Sequence, residues 1–414
     1  MPPSLTESFV SLFPPGRRFI RAFRGLQLAV KQLQKEARSN PCSSDVDADT
    51  VDQNTDVSEL ITAREIQRAA AAHLPLQVGE LFVREGSVEV AGIMIAPDGL
   101  TQNMAFFING QKCDDVTYPI ADQRTEERFA LTGHHGAAFR ARITKDLETL
   151  ERADFFRIDA SPTGTYVPSR WRHAIWFMNP DKEAFPMPPV ANIQRVVGDD
   201  SVSRFGMGGA TIFHNISNFL RESDRDWKDF PNILDWGCGA GRLTRYLMAG
   251  TESDVYGLDI DEDNVNWCSK NLSGAYFIHA PLKPPTSLPD GLFNLVVGTS
   301  VVTHLTEEMQ FAWLQELHRV TRPGALLFLS VTGQAQIGHL GLSTAIYQKA
   351  QKAGFLDLSV DHALDGYIED SNYYRSTWHS RPYIIEKWGQ YFDVLAILDG
   401  IAALQDFVVL RRRD

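Results

Sequence analysis

Cysteine is scarce in this chain, and the little there is does not pair. Cys42, Cys113, Cys238 and Cys268 are the only four among 414 residues, and they lack the short spacings of a disulfide framework or a zinc site. No metal is expected. Long apolar runs are missing too: none reaches the roughly 20 residues that span a bilayer. The N-terminus has neither the apolar core nor the small-residue cleavage site of a secretory signal. Basic residues are in the minority, 40 Lys and Arg against 52 Asp and Glu, for a formal net charge of −12. A general nucleic-acid coat needs a basic surface, so no nucleic-acid partner is expected. Internal repeats are absent. The expectation is a reducing, cytoplasmic protein.

What is present is ordinary in bulk, with 43% hydrophobic and 22% charged residues, in a chain long enough for two or three domains. Residues 1–60 stand apart. Seven basic residues and one acid lie between Arg17 and Arg38, beside Phe19, Phe23, Leu26, Val30 and Leu33 at helical spacing. Two readings stand for 17–38: a basic amphipathic helix on a membrane surface or partner protein, or a helix packed on its own protein. Either would leave the protein cytoplasmic, the first making it peripheral at the membrane. From Asn40 to Glu59 the chain turns acidic and polar, as a flexible linker does. A short helical pattern over Glu65–His73 follows.

Residues 61–185 alternate in short strand-like runs, such as Val88–Ile93, Met104–Asn109, Phe139–Ile143 and Trp171–Phe177. Pro97-Asp-Gly99 and Asn109-Gly110 mark turns. This pattern predicts an antiparallel, β-sandwich-like domain. The proline-rich stretch Pro180–Pro189 then leads into residues 190–414, with a helical stretch near Ile212–Leu220. From Pro231 onward, strands and helices alternate as in a doubly wound α/β sheet. Strands are expected at 232–235, 254–258, 275–279, 293–298, 325–331, 393–398 and 406–410.

One segment carries most of the chemistry. The apolar run Ile233-Leu-Asp-Trp ends at the loop Gly237-Cys-Gly-Ala-Gly241, and a helix-compatible stretch follows. Glycines let backbone approach a ligand, and a helix N-terminus offers free N–H groups. A second short strand ends in Asp259, 18 residues beyond Gly241. An acid about 20 residues beyond such a loop binds ribose hydroxyls. The dinucleotide spacing G-x-G-x-x-G would put its third glycine where Arg242 stands. A tight strand–helix turn without ligand is the competing reading.

Asp235-x-Gly-x-Gly-x-Gly241 resembles motif I of class I S-adenosylmethionine (SAM)-dependent methyltransferases. Phe293-Asn-Leu-Val296 and the Arg322-Pro-Gly324 turn before an apolar strand add to the resemblance, which covers about 230–335. It implies a seven-stranded Rossmann-like sheet with its last strand inserted antiparallel. It also implies SAM as cofactor, with Asp235, Gly237, Cys238, Gly239 and Gly241 around the methionine portion. Asp259 would take the ribose, Ile260 would pack on adenine, and Thr299 would close the site. Many relatives place an adenine-reading acid after the third strand. Here Ala280, Pro281 and Leu282 stand there, which leaves that contact to backbone near Leu282.

Methyl transfer needs alignment, water exclusion and, for a hydroxyl acceptor, a base. His304, at the carboxyl end of the fourth strand, is the first candidate for base or substrate contact. A helix-start residue bonded to backbone is the alternative. His379 is the second candidate base, and Tyr374, Arg375 and Trp378 are candidate acceptor contacts. The expected acceptor is a small molecule or a glycan-related hydroxyl. A non-catalytic SAM-fold scaffold recruiting partners is the rival function, and a nicotinamide dehydrogenase is disfavoured by the glycine spacing.

Overall fold

The computed structural model describes residues 57–73, 76–95, 104–129, 138–162, 164–169, 174–333, 336, 344–402 and 404–413. The basic stretch 17–38, the turn at Pro97–Gly99 and Trp171 lie outside the described residues. Within the acidic segment, a helix already begins at Val57 and runs to His73.

Among the described residues between 76 and 178 the alternating runs become eight strands. These are β1 (Leu76–Arg84), β2 (Ser87–Met94), β3 (Ala105–Ile108), β4 (Gln111–Lys112), β5 (Asp115–Ile120), β6 (Ala138–Ile143), β7 (Phe155–Ser161) and β8 (Ile175–Met178). They form two antiparallel sheets, ordered β1-β2-β6-β5 and β4-β3-β7-β8. The β3–β4 hairpin turns through Asn109 and Gly110, at φ 51° and 80°, the positive angles a tight two-residue turn requires. Inward residues of both sheets, among them Val90, Phe106, Phe139 and Phe156, share one core. In it Phe106 stacks on Phe139 at 4.1 Å.

The later strands are β9 (Asn232–Trp236), β10 (Asp254–Asp259), β11 (Ala275–His279), β12 (Phe293–Gly298) and β13 (Thr321–Val331). Then come β14 (Phe355–Val360), β15 (Arg375–His379), β16 (Phe392–Ala402) and β17 (Gln405–Arg412). Seven of them make one sheet ordered β11-β10-β9-β12-β13-β17-β16, with β17 antiparallel to both neighbours. Ile233, Leu234, Val296, Val297, Leu327 and Phe328 are fully buried. Their unbroken apolar runs suit strands covered on both faces. β13 starts at Thr321, four residues before the expected point, because Thr321 pairs with Phe293 across an irregularity in the ladder. β14 and β15 form a separate two-stranded sheet inserted between β13 and β16.

The helix Val202–Glu222 joins the two parts, lying against β8 on one side and β16 on the other. Ser201 caps it by accepting the Arg204 N–H at 3.1 Å. It starts ten residues before the expected stretch because packing overrides its glycines. Gly209 is itself a packing device. A Cβ there would lie 2.0 Å from the Arg242 carbonyl oxygen, so glycine lets this helix meet the segment that follows the glycine loop. Asn215 donates to the Ile401 carbonyl at 2.9 Å, and Trp176 stacks on His214 at 4.0 Å. No helix among the described residues is long and apolar enough to cross a membrane. Strand order reverses between β9 and β12, and the carboxyl ends of β9, β10 and β12 converge there, where open α/β sheets bind ligands.

Candidate active site

β9 brings Asp235 and Trp236 to that edge, and the chain turns through Gly237, Gly239 and Gly241 at φ 74°, 53° and 75°. Space is short as well. A Cβ on Gly237 would sit 2.2 Å from Val301 Cγ2, and one on Gly239 2.7 Å from Val196 Cγ2. Asp259, ending β10, reaches back under the loop. Its Oδ2 accepts the Gly239 N–H at 2.7 Å and its Oδ1 accepts the Asp261 N–H at 2.8 Å, which fixes the carboxylate's orientation. Asp235 lies beneath. Its buried carboxylate accepts the Thr244 hydroxyl at 2.6 Å, and burial pushes its pKa up to about 6.

These elements line a cleft that opens to solvent. Gly237, Gly239, Asp259, Ile260 and Thr299 line it. Asp235, Cys238, Gly241 and Leu282 lie outside its wall. Cys238 is buried, and desolvation holds its thiol well above the usual range. Leu282 packs on the main core.

The acceptor-side candidates divide in the same way. His304 and Tyr374 line the cleft, stacked at 3.9 Å and 12°. His304 Nδ1 is 2.7 Å from the Arg375 carbonyl oxygen. A carbonyl can only accept, so Nδ1 carries the proton and Nε2 is the basic nitrogen of the neutral ring. Asp361 Oδ2 stands 3.6 Å from the same Nδ1. Arg375 turns its guanidinium to Asp357 at 2.9 Å, and Trp378 is buried with its N–H on the Gly333 carbonyl at 2.9 Å. His379 is in the core. Gln310 spends its amide donors on the Val302 and Leu305 carbonyls, so its Oε1 accepts from His379 Nε2 at 2.9 Å. Burial lowers the His379 pKa to about 3.

Residues 233–324 match the family model described as a methyltransferase domain. The C-terminal part of the chain is a class I SAM-dependent methyltransferase domain. SAM is its cofactor. A ribosomal protein L11 methyltransferase of Neisseria gonorrhoeae is 28% identical over 186 residues, covering 43% of this chain and 57% of that protein. A malonyl-(acyl-carrier protein) O-methyltransferase of Salmonella typhimurium is 26% identical over 144 residues, covering 34% of this chain and 55% of that protein. The chain thus spans little more than half the length of these curated relatives. Among solved structures, magnesium protoporphyrin IX methyltransferase from Synechocystis PCC 6803 is 17% identical with a TM-score of 0.35, covering 53% of this chain and 93% of that one.

The cleft of the methyltransferase domain suits SAM on its own chemistry. Glycine backbone, the acid Asp259 and the apolar Ile260 and Ala280 share its wall, the kinds of group that an amino-acid chain, a ribose and an adenine call for. Thr299, on the wall, has a buried hydroxyl with no hydrogen-bond partner, and that pairs readily with a polar ligand.

Several residues on the cleft wall went unread in the sequence. The helix Val190–Val197 lies over the glycine loop and supplies Arg195 and Val196. Arg195 Nε donates to Asp261 Oδ2 at 2.6 Å, and its guanidinium lies 4.2 Å over the Tyr367 ring. Asp261 also caps the helix Glu262–Asn271 through the Asn264 N–H. A proline before this short run and Gly198 after it, at φ 86°, were the available signal. Arg242, Asn264 and Trp313 also line the cleft. Of these, Arg242 was visible only as the residue that displaced a glycine.

Proposed function

We propose that this protein transfers the methyl group of SAM to a hydroxyl oxygen of a small-molecule or glycan-related acceptor, with His304 as base. One observation carries the reading. The His304 ring is tautomer-fixed by the Arg375 carbonyl, stacked on Tyr374 and backed by a carboxylate, at the wall of the cofactor cleft. Bound SAM supplies a methyl group already activated on a sulfonium. Gly237, Gly239 and Arg242 would hold its amino-acid end, Asp259 the ribose hydroxyls, and Ile260 with Ala280 the adenine.

The protein's own residues then have three tasks. His304 Nε2 takes the acceptor's hydroxyl proton as oxygen attacks. Asp361 stabilises the imidazolium that results. Leu305, Trp313 and Leu364 exclude water from the wall. His379, buried and held neutral, takes no part in proton transfer. We read the antiparallel sheets within 61–185 as a sandwich-like accessory domain beside the methyltransferase domain of 190–414.

The test is transfer from methyl-labelled SAM into pools of glycans, lipids and small molecules, run with wild type and His304→Gln. Label on a hydroxyl with wild type and its loss with the variant support the reading. SAM binding with no transfer to any pool would leave the scaffold role in its place.

A further inference from the structure

β12 ends at Gly298, and the chain must leave the sheet at once to reach the tight turn Val302–His304. Ser300 makes that exit at φ 60°. This is the left-handed region, which residues other than Gly, Asn and Asp seldom adopt. Glycine would take it without strain, so a serine here needs a reason. Its side chain supplies one. Ser300 Oγ donates to Gln405 Oε1 at 3.1 Å, and Ser330 Oγ donates to the same oxygen at 2.7 Å. Ser330 Oγ also accepts the Ser300 backbone N–H at 2.6 Å. The three residues close a circuit drawn from β13, β17 and the turn after β12, and Ser330 within it is fully buried.

The circuit supports a working surface. Ser300 lines the cleft, and its neighbour Thr299 carries the buried, unpartnered hydroxyl. Val301 fills the space against Gly237. His304 follows within the same turn. Strained backbone that its surroundings hold in place gathers at functional sites.

We infer that Ser300, Ser330 and Gln405 are positioning residues for methyl transfer, holding the turn 299–304 so that Thr299 faces the cofactor and His304 the acceptor. None of them touches reacting atoms by this account. The inference rests on the reading of His304 given above.

Hydrogen–deuterium exchange and NMR on the full chain test it without an acceptor. Ser330→Ala and Gln405→Leu are each expected to raise amide exchange across 299–305 about tenfold, the scale of one lost buried hydrogen bond. They should also shift the His304 ring titration, while amides of β10 exchange at the wild-type rate. Ser330→Thr keeps a hydroxyl and should restore both readouts. Ser300 gives a second arm. Ser300→Ala and Ser300→Gly both lose the side-chain bond, but only alanine keeps the strain at φ 60°, so Ser300→Ala should melt below Ser300→Gly. An ordinary loop serine gives the opposite order, because glycine loses more entropy on folding. That opposite order would overturn the inference. So would unchanged exchange across 299–305 in both Ser330→Ala and Gln405→Leu. If His304 is not the base, turnover in His304→Gln stays at the wild-type level, and the exchange and melting results still decide the circuit's role.

Discussion

Asp259 combines two tasks in one carboxylate. It ties down the Gly239 and Asp261 N–H groups, and it stands on the cleft wall where a ribose would lie. Asp259→Ala is therefore expected to weaken SAM binding by about 2 kcal/mol or more, roughly thirtyfold, in calorimetric titration. Unchanged affinity would move the ribose elsewhere. The two histidines show the limit of reading single residues. His304 and His379 are both candidate bases in the sequence, and nothing local says which of them is buried. Only the fold does so, by turning one to the cleft and closing Gln310 and Trp388 around the other. His304→Gln should lower turnover by about 10²- to 10⁴-fold while leaving SAM affinity within about twofold, as loss of a general base predicts. His379→Gln should act on the melting temperature instead. Equal loss of turnover in both variants, at matched stability, would undo the distinction.

At the scale of elements, the seven sheet strands were legible because each is a short apolar run whose period needs no distant partner. The glycine loop was legible for the same reason, since positive φ and close approach are written locally. The lid was not. Val190–Val197 is an eight-residue helix, and its role comes from what it covers: Val196 over Gly239 and Arg195 over Asp261. The Arg195 and Asp261 side chains are only 8% and 3% exposed. Removing one partner of such a buried pair costs about 3–5 kcal/mol, because the other charge is left unpaired. Arg195→Ala should thus destabilise the protein on that scale in urea denaturation and weaken SAM binding with it. Pairing it with Asp261→Asn should recover a good part of the loss, and strict additivity of the two would show that they do not interact.

At the scale of the whole molecule, stability against pH is a contest between buried groups of opposite sign. His214 sits at the seam between the antiparallel sheets and the methyltransferase sheet, stacked on Trp176 and edge-on to Phe155. Burial lowers its pKa to about 4, and the charges of Arg157 and Arg221 add to the effect. The unfolded chain protonates this ring first as pH falls, so its contribution is whole above about 6.5 and is lost on the way down to about 4. Asp235 and Asp406 run the other way. Burial raises them to about 6 and about 7, so the folded chain holds those protons longer, and stability declines as pH rises from about 4 through 6 and 7. Between pH 4 and 6 the slopes oppose each other, and the wild-type profile alone cannot separate them. His214→Phe can. Phenylalanine keeps the aromatic stack and removes the ring nitrogen that lies buried without a partner. In urea denaturation the variant should track wild type at a constant offset above pH 7. It should then gain on wild type by up to about 3 kcal/mol as pH falls toward 4, at about 1.4 kcal/mol per unit of displaced pKa. A constant offset across the whole range would mean that the seam opens to water before the ring is protonated, and that the two parts of the chain separate ahead of global unfolding.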